Sequence, residues 1–148
     1  MKKHLFYVCL LFLGLIALLI PHQNEAGKSN ASQYYNFDNA ETDADRVAFI
    51  AQFGWQVSNT PIETEHVKIP ESFDQVHEDY NLLQKRVGLD LEPYKGKVLV
   101  RYSYQLYNHP SNNKNARVNV FVYAGSIVAA DVMSTDLDGF MHAICDKE

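Results

Sequence analysis

The chain of 148 residues is 47% hydrophobic, which suits a folded domain and excludes a disordered polymer. All 18 acidic residues lie after Pro21, with all of the 13 basic ones except Lys2 and Lys3, so the part beyond that proline carries 11 − 18 = −7. That balance argues against a nucleic-acid binder, which needs basic surface to neutralise phosphates, and against lying flat on an anionic membrane.

Met1 to His4 is basic, and Leu5 to Ile20 is an unbroken apolar run of 16 residues. At about 1.5 Å per residue a helix of this length spans roughly 24 Å, which suits a signal-peptide core or a short membrane anchor. Pro21-His22-Gln23-Asn24-Glu25-Ala26 is a poor cleavage site, and Ser29-Asn30-Ala31 lies far from the apolar run. The expectation is an uncleaved signal anchor, or transmembrane helix, over residues 1–21. Cleavage and secretion is the alternative. Cys9 follows Phe6-Tyr7-Val8 and lacks the small residues that a lipid-attachment cysteine needs. Cys9 and Cys145 belong to different environments, so no internal disulfide is expected. Lys2 and Lys3, with no basic cluster just past the run, place the N-terminus inside and the domain outside a cytoplasmic membrane, which is crossed once by residues 5–20.

Residues 22–42 are polar, have no apolar period and read as a flexible tether. Tyr34, Tyr35 and Phe37 are the exceptions, available to dock on the domain. The domain itself is expected over residues 43–148. Thr42 or Asp43 caps a first helix with the stripe Val47, Ile50, Ala51 and Phe53, and Gly54 stops it. Trp55 to Val57 starts a short strand, Asn59-Thr60-Pro61 turns the chain, and Ile62 to Ile69 is a second strand ended by Pro70. Glu71 or Ser72 opens a second helix, in which Phe73, Val76, Tyr80, Leu83 and Val87 recur at spacings of 3, 4, 3 and 4. That stripe is expected to pack on a sheet. Leu89 to Gly96 connects it to three strands in succession: Lys97–Tyr107, Ala116–Ala124 and Ser126–Ser134. Ala124-Gly125 is a tight hairpin turn and Asn108 to Asn115 a long polar loop. Phe140 to Ile144 is a last apolar segment. The fold class is α+β: a mainly antiparallel sheet, β-β and then a three-strand meander, packed with two helices in the order α-β-β-α-β-β-β.

Alternation in the meander separates two faces. Val98, Val100, Tyr102, Tyr104 and Leu106, with Val118, Val120 and Val122, suit burial. The other parity holds Arg101, Ser103, Gln105 and Tyr107, then Arg117, Asn119, Phe121 and Tyr123, and Asp131 joins the face its register selects. Arg101, Tyr107, Arg117 and Tyr123 are the candidate binding residues, since aromatic and arginine side chains are enriched at recognition sites. An ordinary solvated face, or one covered by the first helix, is the competing reading.

The sequence offers no catalytic, metal or cofactor motif. Asp136-x-Asp138-Gly139 has Cys145 where a calcium loop needs its glutamate, and reads as an Asp-rich turn. The six histidines form no zinc spacing and read as surface or half-buried groups.

Several blocks carry a family resemblance. They are Phe49-xxx-Phe53-Gly54-Trp55-x-Val57, Ile69-Pro70-xx-Phe73-Asp74-x-Val76 and Tyr80-Asn81-x-Leu83-Gln84-Lys85, followed by Gly88-Leu89-Asp90-Leu91-xx-Tyr94-Lys95-Gly96-Lys97 and Leu137-Asp138-Gly139-Phe140-Met141-His142. From about Arg46 to Ala143 the chain resembles the bacterial domain-of-unknown-function family 4830. The resemblance implies an extracytoplasmic protein of Gram-positive bacteria, often anchored or lipid-modified at its N-terminus. It implies no established activity, so no catalytic residue carries over. The expected function is a non-catalytic envelope module that binds a protein or envelope ligand. The alternative is an envelope hydrolase, which a pocket gathering Asp131, Arg101 and a histidine would favour.

Overall fold

The computed structural model describes residues 34–147. The anchor expected over 1–21 and the first part of the tether lie outside the described residues. The elements are α1 (Asp43–Ala51), β1 (Glu63–Lys68), α2 (Gln75–Lys85), a 3-10 turn (Glu92–Tyr94), β2 (Val98–Gln105), β3 (Ala116–Tyr123), β4 (Ser126–Ser134) and β5 (Met141–Ala143). The five strands form one antiparallel sheet in chain order, so the fold is α+β.

Thr42 caps α1 in a reciprocal box with Asp45. Phe49, Ile50 and Phe53 then pack over Tyr104, Val118, Val120, Val122 and Val132 on the first sheet face. Arg46, only 4% exposed, ties the helix to that face. Its Nε donates to the Tyr104 hydroxyl at 2.8 Å, and its guanidinium lies 3.7 Å from the centroid of the Tyr102 ring. The segment before α1 is held on the same side. Tyr35 stacks on Phe53 at 4.2 Å, and the Ala40 N–H donates to the Gly125 carbonyl at 2.8 Å. Ala124 and Gly125 turn the β3–β4 hairpin with φ of 48° and 80°, the paired positive values of a tight hairpin turn.

Two expected elements change. Trp55 to Val57 forms no strand. Trp55 is buried and its indole N–H donates to the Ile144 carbonyl at 2.6 Å, while Val57 makes a single bridge to Leu106. The chain then turns, and β1 takes the edge of β2 from Ser103 onward. The fifth strand is instead β5, from the last apolar segment, so the order is α-β-α-β-β-β-β.

The second change concerns α2. It starts at Gln75 with Asp74 as its cap, because the Asp74 carboxylate accepts the His77 N–H at 3.0 Å. Phe73 therefore precedes the helix. The face turned to the sheet is polar: Asn81 and Gln84 are buried, whereas Val76 of the expected apolar stripe is 73% exposed. The main chain explains this. Ala130 lies one residue beyond the last β4–β5 pair, Asp131↔Ala143, and its N–H donates to Gln84 Oε1 at 2.8 Å. Asn81 Oδ1 accepts the Leu91 N–H at 2.8 Å, and its amide donates to Asp90 at 2.8 Å. Each buried main-chain donor left without an acceptor would cost ~1–3 kcal/mol, enough to outweigh part of an aliphatic stripe left in water.

Candidate functional site

The second sheet face, under α2, carries a buried polar row. Ser103, Asn119 and Asp131 are opposite one another across β2, β3 and β4. The Ser103 hydroxyl donates to Asn119 Oδ1 at 2.7 Å, and the Asn119 amide donates to Asp131 Oδ1 at 2.8 Å. Tyr80 reaches down from α2 and donates its hydroxyl to Asp131 Oδ2 at 2.7 Å. Burial is the main cause that pushes the Asp131 carboxyl up to about 6, against the hydrogen bonds from Tyr80 and Asn119. Burial, and then the Asp131 charge, hold the Tyr80 phenol protonated well above its ordinary range.

Beside this row, a cleft of about 180 Å³ opens between the N-terminal end of α2 and the β1–β2 edge. Val67, Ile69, Phe73, Leu91 and Phe121 supply apolar lining, and Arg101, His77 and Tyr80 the polar groups. Arg101 is positioned by β1: its Nη2 donates to Glu65 at 2.6 Å and to Glu63 at 3.3 Å. Its Nε is buried and has no hydrogen-bond partner among the described residues. Arg117, two rows along on the same face, donates to the other Glu63 oxygen at 2.8 Å. His77 Nδ1 lies 2.6 Å from Asp74, with the ring stacked on Phe73.

The four candidate residues divide. Arg101 lines the cleft, and Arg117 shares its carboxylate partner. Tyr123 packs edge-on against Tyr94, with ring centroids 5.6 Å apart. Tyr107 lies beyond the end of β2, 66% exposed, its N–H bonded to the Gln56 carbonyl at 2.9 Å. Val100 pairs with Val122, next to Tyr123, and Tyr107 is seven residues further along the chain, a run of ~23 Å at strand rise. The two tyrosines therefore share no site. The cleft residues Tyr80 and Phe73, and Glu63 and Glu65 that hold Arg101, were not among the candidates. Glu63 and Glu65 do carry a signal, since their two-residue spacing puts both on the Arg101 face once β1 is paired with β2.

The cleft and the buried polar row behind it are separate. Asp131 is 1% exposed and does not line the cleft, and both of its oxygens are engaged. His77 lines the cleft, with its Nδ1 held by Asp74 at 2.6 Å. Arg101 Nε supplies a donor.

The sequence model of the family described as Domain of unknown function (DUF4830) matches residues 49–132. The chain belongs to this family. The match runs from α1 into β4 and takes in Tyr80, Arg101, Arg117, Asn119 and Asp131. No curated protein and no solved structure matches the chain.

Two further polar clusters complete this DUF4830 domain. His109 is buried, beyond the surface or half-buried position read from the sequence, and lies between Trp55 and Phe140 with its ring stacked on both. Its Nδ1 is 2.7 Å from the Ser111 hydroxyl and 3.3 Å from the Ser111 N–H, which makes Nδ1 the acceptor. The proton is then on Nε2, which donates to His142 Nε2 at 3.2 Å, while His142 Nδ1 donates to the Ala143 carbonyl at 2.9 Å. These contacts occupy all four ring nitrogens, and burial, then the neighbouring His142, lower the His109 pKa. Asp136, in the Asp-rich turn, accepts from Asn113 at 2.7 Å, Asn115 at 2.6 Å and Ser134 at 2.7 Å, and so clasps the β2–β3 loop to the end of β4. Gly139 completes that turn: a Cβ there would lie 2.6 Å from the Ser134 carbonyl oxygen.

Proposed function

We propose that this protein is a membrane-anchored, extracytoplasmic binding module of the cell envelope, and that the Arg101 cleft is its recognition site. The apolar run over residues 5–20 supports the anchor, and the charge pattern around it supports the orientation. The observation that carries the recognition reading is the buried Nε of Arg101, without a partner among the described residues, beside a cleft whose lining is mainly apolar. Glu63 and Glu65 already balance the guanidinium charge, so the fitting acceptor is a neutral carbonyl oxygen and not a second carboxylate. A volume of about 180 Å³ is below the ~300–1,000 Å³ that encloses a whole small molecule. The cleft therefore takes one residue-sized apolar group of a larger ligand. The costly ionisation of Asp131 behind the cleft wall fits a site kept for function, since strongly shifted groups gather at such sites.

The test is an NMR titration with N-acetyl-leucinamide, which joins an isobutyl group to carbonyl acceptors. Saturable millimolar shifts of the Arg101 Nε–H and the Phe121 amide, lost in Arg101→Lys, are expected. N-acetyl-leucine, with its carboxylate, should bind more weakly. Tighter binding of the acid, or no shift at Nε–H with either compound, would sink this assignment.

A further inference from the structure

The outer flank of α2 leaves part of its apolar stripe open, Val76 fully and Tyr80 and Leu83 on one side. Val76, Tyr80 and Leu83 from the helix and Met141 from β5 line an open hollow of about 490 Å³, with His77 and Asp79 at its edge. Val76 is 73% exposed and Met141 is 50% exposed. A helix normally turns such a stripe to its own core. Here the sheet takes Asn81, Gln84 and the Tyr80 hydroxyl, so Val76 and the open sides of Tyr80 and Leu83 are available to a partner.

Charge selects the partner. From Asp74 to Gln84 the chain carries Asp74, Glu78 and Asp79 and no lysine or arginine. Lys85 and Arg86, which follow, are engaged by Asp90 and Asp146. In a two-fold contact between copies the same patch faces itself, so those carboxylates would meet their own kind. An anionic lipid surface meets the same repulsion. We propose that the hollow receives an amphipathic helix of another protein, with apolar residues at helical spacing flanked by lysine or arginine. This is the helix-in-groove mode, and α2, with 11 residues, offers it about three turns.

The test uses the full chain in phosphatidylcholine nanodiscs, with empty nanodiscs as blank. Fluorescence anisotropy follows a labelled leucine–lysine helix of about four turns and its leucine–glutamate counterpart. The lysine peptide should bind at least about tenfold more tightly than the glutamate peptide, and Val76→Glu should weaken it by about tenfold. That variant separates docking from bulk attraction, because it adds negative charge while breaking the apolar stripe. Its exposed position keeps the fold, which circular dichroism checks. Arg101→Ala should leave peptide binding unchanged. Equal binding of both peptides, or binding unchanged or tightened in Val76→Glu, would overturn the proposal. So would a dimer, seen by sedimentation, that Val76→Glu dissociates. Loss of binding in Arg101→Ala would move the peptide to the cleft and leave the cleft reading standing.

Discussion

A carboxylate that is 1% exposed and held by one phenol and one amide ionises at neutral pH only at a cost, and in this protein that carboxylate is Asp131. Its folded pKa of about 6 is above the ~3.9 of an unfolded chain, so the folded state binds the proton more tightly. The stabilisation is complete below pH ~4 and is lost as the pH rises through about 6. From this group alone, unfolding free energy should fall by about 2 kcal/mol between pH ~4 and pH ~8. Asp131→Asn should remove that slope and be the more stable form at the alkaline end, which urea unfolding of both proteins across the pH range measures. An unchanged slope would mean that Asp131 is not the group responsible. The sequence placed Arg101 and Arg117 on one face through strand parity, and that was legible because period 2 survives any error in the strand ends. Tyr107 shares the parity but not the site, because β2 ends at Gln105. Beyond it, the Asn108 side chain accepts the Gln56 N–H at 2.8 Å, fixing the Tyr107 end of the chain to the Trp55–Val57 segment. No periodicity records a strand end set by a side chain 52 residues away.

At the scale of elements, β2, β3 and β4 were readable from alternation and from Ala124-Gly125, and α1 from its cap and Gly54. The face of α2 was not. Its strongest periodic signal, Phe73-Val76-Tyr80-Leu83-Val87, marks residues of which only Val87 is buried, while Val76 is exposed and the other three are half-buried. Its packing is decided by Gln84 and Asn81, whose value is in two main-chain donors outside the helix, Ala130, 46 residues from Gln84, and Leu91, 10 residues from Asn81. A prediction follows that reverses the hydrophobic ranking. Val76→Ala should change stability by no more than about 0.5 kcal/mol, as for other exposed substitutions. Gln84→Ala should cost ~1–3 kcal/mol, because it leaves the buried Ala130 N–H without an acceptor. Chemical denaturation of the two variants decides it, and the opposite order would return the helix to its apolar stripe.

For the whole molecule, the α+β sheet divides its labour between two faces. The first is closed by α1, Arg46 and the aromatic residues before the helix. The second is covered only in part by α2, and it carries the cleft, the arginines and the shifted carboxylate. Among the described residues no helix is long and apolar enough to cross a membrane. The anchor proposed for residues 5–20 lies outside the described residues. The most direct measurement places a photo-reactive side chain at Lys68, beside the cleft, or at Ala48, on the exposed side of α1, in cells expressing the full chain. Mass spectrometry then identifies the adducts. The account predicts one dominant adduct from Lys68 that Arg101→Ala removes, and none from Ala48. An adduct from Ala48 alone, no adduct from Lys68, or a Lys68 adduct indifferent to Arg101→Ala would contradict it.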